Sequence, residues 1–161
     1  MSGLVVFGHA FLGIVFFGGL FGRGIVLALA ERAETLSAMR TLTAAAGPFE
    51  RIVIVIGAIA GLLGVVAALV TGRPLLGPLQ GGTIDWVFVS VVLVITTFPL
   101  PPLVFIPRGR VFEAALEEAT AQGTVTPALH AAWRDPVTRA AHVYELAITT
   151  IVLVLMLTKP F

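Results

Sequence analysis

Long, nearly uncharged stretches of apolar residues alternate along this chain with shorter segments that carry most of its charge. A helix that crosses the hydrocarbon core of a bilayer needs about 20 predominantly apolar residues. Four stretches meet this requirement, at residues 4–28, 52–70, 86–106 and 138–158. The pattern predicts an all-α protein, a membrane-spanning four-helix bundle that forms a single transmembrane domain over residues 1–161.

The composition agrees with a membrane protein and excludes several kinds of chemistry. Of the 161 residues, 58% are hydrophobic and 12% are charged, whereas about 25% of the residues in a soluble domain are charged. The formal net charge of +1 gives no reason to expect nucleic acid as a partner, and the high apolar content makes membrane lipid the expected surrounding. The absence of cysteine excludes disulfides, thiolate metal sites and covalent haem attachment through a C-x-x-C-H motif.

The positions of the arginines predict an orientation. Most arginines outside the spans lie in the loops after the first and third spans: Arg32, Arg40, Arg51, Arg108, Arg110 and Arg134. Cytoplasmic loops carry the excess of Lys and Arg. We therefore expect both termini to lie on the non-cytoplasmic side of the membrane.

The third loop, residues 107–136, is expected to be helical and cytoplasmic. The segment "RVFEAALEEATAQG" is typical of a helix that ends at Gly123. In the following segment, "TPALHAAWRDP", Thr126 is a candidate N-cap and Pro127 suits the first helical position. These two helices are interpreted either as a surface for a partner protein or as a structured connection on the end of the bundle.

Ionisable side chains interrupt the first and last spans. His9 and Arg23 are fourteen residues apart, which returns to nearly the same face of a helix. His142 and Glu145 share a face of the last span, and ionisable groups in the membrane usually face the interior of the protein. Arg23 and Glu145 lie at similar depth, which predicts a structural ion pair. A proton or anion path, or a contact to a haem propionate, are the functional alternatives.

His9 is the principal candidate ligand. Neutral imidazole is a common metal ligand and the usual proximal ligand of haem iron. Gly13 and Phe16 lie on the same face and predict a flat apolar slot, while Met156 matches His9 in depth. His142 is ~15 Å away in depth at the helical rise per residue, so it is a secondary candidate. The alternative for His9 is a hydrogen bond to a neighbouring helix or an orientation toward the interface.

Three segments carry a resemblance to a known group of proteins: "HAFLGIVFFGGLFGRG" in span one, "DWVFVSVVLVITT" in span three and "YELAITTIVLVLMLTKPF" at the C-terminal end. The chain resembles a bacterial superfamily of small four-helix membrane proteins. This group includes a predicted integral membrane protein family of unknown function, the haem-containing membrane protoporphyrinogen oxidases and, more distantly, copper-resistance membrane domains. The segment "TPALHAAWRDP" is similar to a loop of the first of these families.

The resemblance implies roles for particular residues and a location in the bacterial cytoplasmic (inner) membrane. His9 matches a haem-ligating histidine early in span one of the haem-containing relatives. Arg23 matches an arginine after the "GGLFG" stretch, and Glu145 an acidic residue that opens the last span. The oxidases also carry a functional lysine at the start of span three, where this chain reads "DWVFVSV". The missing lysine argues against protoporphyrinogen oxidase activity.

These observations lead to one principal hypothesis and two alternatives. The principal hypothesis is a membrane protein that binds haem b, with a redox or sensing function and His9 as axial ligand to the haem iron. The second ligand is Met156, His9 of a second subunit in a homodimer or larger membrane complex, or none. The alternatives are a non-catalytic membrane scaffold or accessory subunit, and a small transporter. No catalytic residue is assigned, and an enzymatic activity would be that of an oxidoreductase.

Overall fold

The computed structural model describes residues 2–161, and the part that it describes is helical without β-strands. The described chain forms these α-helices in order: α1 (Ser2–Glu31), α2 (Leu36–Val70), α3 (Trp86–Thr97), α4 (Ile106–Gln122), α5 (Pro127–Trp133) and α6 (Pro136–Thr158). A 3₁₀ turn at Gly77–Gln80 precedes α3, and a π-helical turn at Pro101–Phe105 joins α3 to α4.

Within residues 2–161, four helical segments are long and apolar enough to cross a membrane: Ser2–Glu31, Leu36–Val70, Trp86–Gln122 and Pro127–Thr158. This confirms the prediction of an all-helical chain with four segments of spanning length. Each segment extends beyond the apolar stretch from which it was predicted. The second segment extends toward its N-terminal end, where α2 begins after the N-cap Thr35. The Thr35 hydroxyl accepts a hydrogen bond from the amide of Ala38 at 3.2 Å.

Helices α1 and α2 form an antiparallel hairpin with the most extensive interface in the described chain. Five buried residues of α2 recur at intervals of seven: Met39, Ala46, Val53, Ala60 and Ala67. A seven-residue repeat is typical of helices that coil around each other in a left-handed sense. His9, Phe16 and Arg23 of α1 have the same spacing. The interval of fourteen residues between His9 and Arg23 therefore equals two of these repeats.

Helix α6 lies between α1 and α3, so the long helices follow one another in the order α2, α1, α6, α3. Arg139 of α6 pairs with Glu31 of α1 at 2.8 Å, and the Tyr144 hydroxyl donates to Thr96 Oγ1 of α3 at 2.6 Å. Contact between α2 and α3 is at most slight. The third spanning segment instead reaches α2 through α4.

Helices α4 and α5 pack against the N-terminal part of α2. Met39 of α2, Ala115 and Ala119 of α4 and Leu129 of α5 form a small core, in which Ala119 and Leu129 are fully buried. The hydroxyl of Thr126 accepts a hydrogen bond from the Leu129 amide at 3.2 Å, which begins α5. Residues 107–136 therefore form a packed helical cap on the end of the protein that contains the α1–α2 turn.

Prolines interrupt the helix between α3 and α4. Pro99 has no N–H to donate to the carbonyl of Ile95, and the amide of Phe98 donates to that oxygen instead at 3.2 Å. The chain then passes through the π-helical turn Pro101–Phe105 before α4 begins. π-Helical turns of this kind are rare and occur frequently at functional sites. Here the turn positions Phe105 beside two ionisable side chains.

Candidate functional site

An ion pair joins α1 to α6 inside the apolar part of the protein. The guanidinium Nη2 of Arg23 lies 2.6 Å from the carboxylate Oε2 of Glu145, and the two side chains are 10% and 14% exposed. Charges inside a membrane protein are tolerated when they pair with one another in its interior. The structure thus brings together the two residues that the depth argument paired.

Two aromatic rings extend this ion pair into a polar cluster, defined here as Arg23, Glu145, Phe105 and His142. The guanidinium carbon of Arg23 lies 5.7 Å from the centroid of the Phe105 ring, within the range of cation–π attraction. The His142 imidazole stacks on Phe105 with centroids 4.8 Å apart and planes inclined by 19°. The sequence analysis did not identify Phe105, because it belongs to a π-helical turn. Such a turn changes the angular position of residues around the helix, so the 3.6-residue spacing of an α-helix does not predict which face Phe105 occupies.

The His9 imidazole is fixed by a hydrogen bond to α2. Its Nδ1 lies 2.8 Å from the carbonyl oxygen of Ala60. A carbonyl oxygen can only accept, so Nδ1 carries the proton and Nε2 carries the lone pair of the neutral ring. Among residues 2–161, Nε2 has no hydrogen-bond partner and is not fully buried. This tautomer gives Nε2 the lone pair that metal coordination requires.

The side chains of His9 and Phe16 pack on glycines of α2. A Cβ added at Gly64 of α2 would lie 2.8 Å from Cε1 of His9, so the imidazole packs directly on this glycine. A Cβ added at Gly57 would likewise lie 2.8 Å from the Phe16 ring. Gly13 differs, because no atom outside its own helix lies within 4 Å of the position of an added Cβ. Phe16 is therefore engaged in packing against α2, and open space remains beside Gly13.

The other sequence-predicted ligands both belong to α6. Met156 is half-buried on α6, whereas the ring of His9 contacts α2. His142 belongs to the polar cluster. No group of three or more His, Asp or Glu side chains placed to hold a metal ion occurs in the part of the chain that the structure describes. Haem differs from a bare metal ion in this respect, since the protein supplies only its axial ligands.

The fold defines an all-helical, multi-pass membrane protein with an ion pair buried between its first and last helices. Comparisons with protein-family models, with curated proteins and with solved structures find no match for this chain.

Proposed function

We propose that this protein binds haem b, with His9 as an axial ligand through Nε2, and that it serves electron transfer or sensing. The observation that carries the proposal is the hydrogen bond from Nδ1 to the carbonyl of Ala60. Metal-ligating histidines commonly donate their other ring nitrogen to a backbone carbonyl or a carboxylate, which fixes the tautomer and the orientation of the ring. The resemblance of the first span to haem-containing membrane proteins supports the same assignment.

The residues of this chain fit one side of such a site. His9 offers a free lone pair, and Gly13, with open space beside it, lies one helical turn further along α1. The glycines of α2 are occupied by His9 and Phe16, so they offer no further space to a porphyrin. Met156, or His9 of a second subunit in a homodimer or larger complex, is the proposed second ligand. Bound haem supplies one-electron chemistry, and the chain supplies ligation and an apolar surrounding that set its potential.

The proposed location is the bacterial inner membrane, with both termini on the non-cytoplasmic side. The arginines of the α1–α2 turn region and of the helical cap support this orientation through the positive-inside rule. In this orientation His9 lies near the outer surface, ~10 Å along α1 from its first residues at the helical rise of 1.5 Å per residue.

The proposal is tested by the haem content of the purified protein. We expect protein from haem-replete cells to show a Soret band and a pyridine haemochrome spectrum of haem b, and His9→Ala to lose both. His130→Ala, which changes an exposed histidine of α5, is the matched control and should keep them. A colourless wild-type protein, or a Soret band unchanged in His9→Ala, would refute haem ligation by His9.

A non-catalytic scaffold or accessory subunit is the second candidate. The observation that favours it is the packing of His9 on Gly64 and of Phe16 on Gly57, which makes both side chains part of the α1–α2 contact. In a scaffold, His9→Ala lowers the stability of the hairpin while the protein is colourless throughout. The same purified variants therefore separate the two functions.

A further inference from the structure

Two cations meet a tryptophan at the end of the protein opposite the helical cap. The guanidinium carbon of Arg73 lies 5.2 Å from the Trp86 ring centroid, and Nζ of Lys159 lies 5.9 Å from it. Arg73 lies in the segment between α2 and α3, Trp86 is the first residue of α3, and Lys159 follows the last residue of α6. Three separate parts of the chain thus contribute to one cationic, aromatic patch, defined here as Arg73, Trp86 and Lys159.

The protein satisfies the cations of this patch only in part, since Arg73 forms a long ion pair with Asp85. The nearest carboxylate to Arg73 is that of Asp85, at 3.7 Å, which is beyond hydrogen-bond distance. The Asp85 Oδ1 already accepts from the amide of Phe88 at the start of α3. Within the described chain, Lys159 Nζ and Trp86 Nε1 have no hydrogen-bond partner, and the Arg73 side chain is 45% exposed. The side chains of the patch and Asp85 together carry one net positive charge.

A groove of about 260 Å³, lined by apolar and polar residues, adjoins the patch through Arg73. Its lining is formed by Leu69, Gly72, Arg73, Pro74, Leu75 and Gln80. A cation beside the leucine and proline side chains of this groove matches an amphipathic ligand whose anionic group lies next to hydrocarbon. The position along the chain agrees with this, because Trp86 begins a spanning segment and tryptophan is enriched at the headgroup level of membranes.

We propose that the patch binds the phosphate of a membrane phospholipid through Arg73 and Lys159, with the glycerol and acyl region of that lipid in the adjoining groove. One phosphodiester carries a single negative charge, which neutralises the net charge of the patch. The Trp86 indole N–H is a further donor to the phosphate or to an ester carbonyl. This site is independent of the proposed haem function, since it shares no residue with His9 or the polar cluster.

The chain contains only two tryptophans, so a single substitution isolates the reporter. In a Trp133→Phe background, Trp86 fluorescence is measured in detergent micelles during titration with phosphatidylglycerol that carries brominated acyl chains, relative to the unbrominated lipid. We expect saturable quenching, weakened at least about tenfold in the Arg73→Gln/Lys159→Gln double variant, which loses two charge-assisted hydrogen bonds. Arg40→Gln, at the capped end, is the matched control and should leave the titration unchanged.

Two further results decide the source of the anion and the validity of the proposal. Millimolar inorganic phosphate should not displace the brominated lipid, because it lacks the acyl region; displacement would indicate a site for free phosphate and overturn the assignment to lipid. Quenching that does not saturate, or equal affinity of the double variant and its parent, would overturn the proposal, provided that circular dichroism shows equal helix content.

Discussion

The ion pair between Arg23 and Glu145 should contribute more to stability than any other charged contact between α1 and α6. In this pair the side chains of Arg23 and Glu145 are 10% and 14% exposed. Glu145→Gln removes the negative partner and leaves the buried guanidinium of Arg23 without a counter-charge. Breaking a buried pair by removing one partner costs about 3–5 kcal/mol in proteins. We expect the lower end of that range, ~3 kcal/mol, since a long arginine side chain can partly relax toward the interface.

The two single substitutions should differ in their effect. Arg23→Gln leaves a carboxylate, which can take up a proton and become neutral, whereas the guanidinium left by Glu145→Gln stays charged. Glu145→Gln should therefore be the more destabilising change. The double variant should be more stable than the sum of the single effects predicts, by about 1–3 kcal/mol of coupling between directly contacting residues.

Unfolding by SDS in mixed micelles, followed by far-ultraviolet circular dichroism, measures these differences. The matched control is Glu31→Gln, because Glu31 and Arg139 also join α1 to α6 at 2.8 Å but are 39% and 58% exposed. That exposed pair should contribute less than about 1 kcal/mol. Equal effects of Glu145→Gln and Glu31→Gln, or additive effects in the double variant, would refute the assignment of a buried, coupled pair.

Three further predictions follow from the packing and the loops. Gly64→Ala should destabilise the α1–α2 hairpin by about 1–3 kcal/mol in the same SDS assay, because the new Cβ would lie 2.8 Å from the imidazole of His9. Gly61→Ala is the control and should be neutral, because a Cβ at that position has no neighbour within 4 Å. Leu129→Ala, at a fully buried position in the helical cap, should cost about 2–5 kcal/mol in that assay, and a cost below 1 kcal/mol would contradict the core described here. The chain has no cysteine, so Thr83→Cys and Glu118→Cys report orientation directly: a membrane-impermeant maleimide should label only Thr83→Cys in intact spheroplasts, and the opposite pattern would reverse the proposed topology.

The sequence predicts the long helices because hydrocarbon length and backbone hydrogen bonding leave few alternatives for an apolar stretch. Helix boundaries are harder to predict, since they depend on tertiary contacts. The segment from Leu36 to Arg51 has the charges of a loop, but it is helical because Met39 and its neighbours pack against α4 and α5. Thr35 is the one local signal that precedes this helix.

The candidate site likewise combines features that the sequence predicts with features that depend on tertiary contacts. The spacing of His9 and Arg23 is a property of a single helix and can be read from the chain, and the depth of Arg23 and Glu145 follows from counting residues. The partner of His9 is a backbone carbonyl, that of Ala60, which no side-chain pattern encodes. The stacking of His142 on Phe105 depends on the π-helical turn, whose phase shift is set by the prolines and the packing together.

Titration of the detergent-solubilised apoprotein with haemin tests the haem assignment most directly. The wild-type protein and His142→Ala should each develop a saturable Soret band of ligated haem, because Nε2 of His9 carries a free lone pair in both, and His9→Ala should show only the broad absorption of free haemin. Equal titrations of the wild-type protein and His9→Ala would contradict the assignment of this imidazole as an axial ligand.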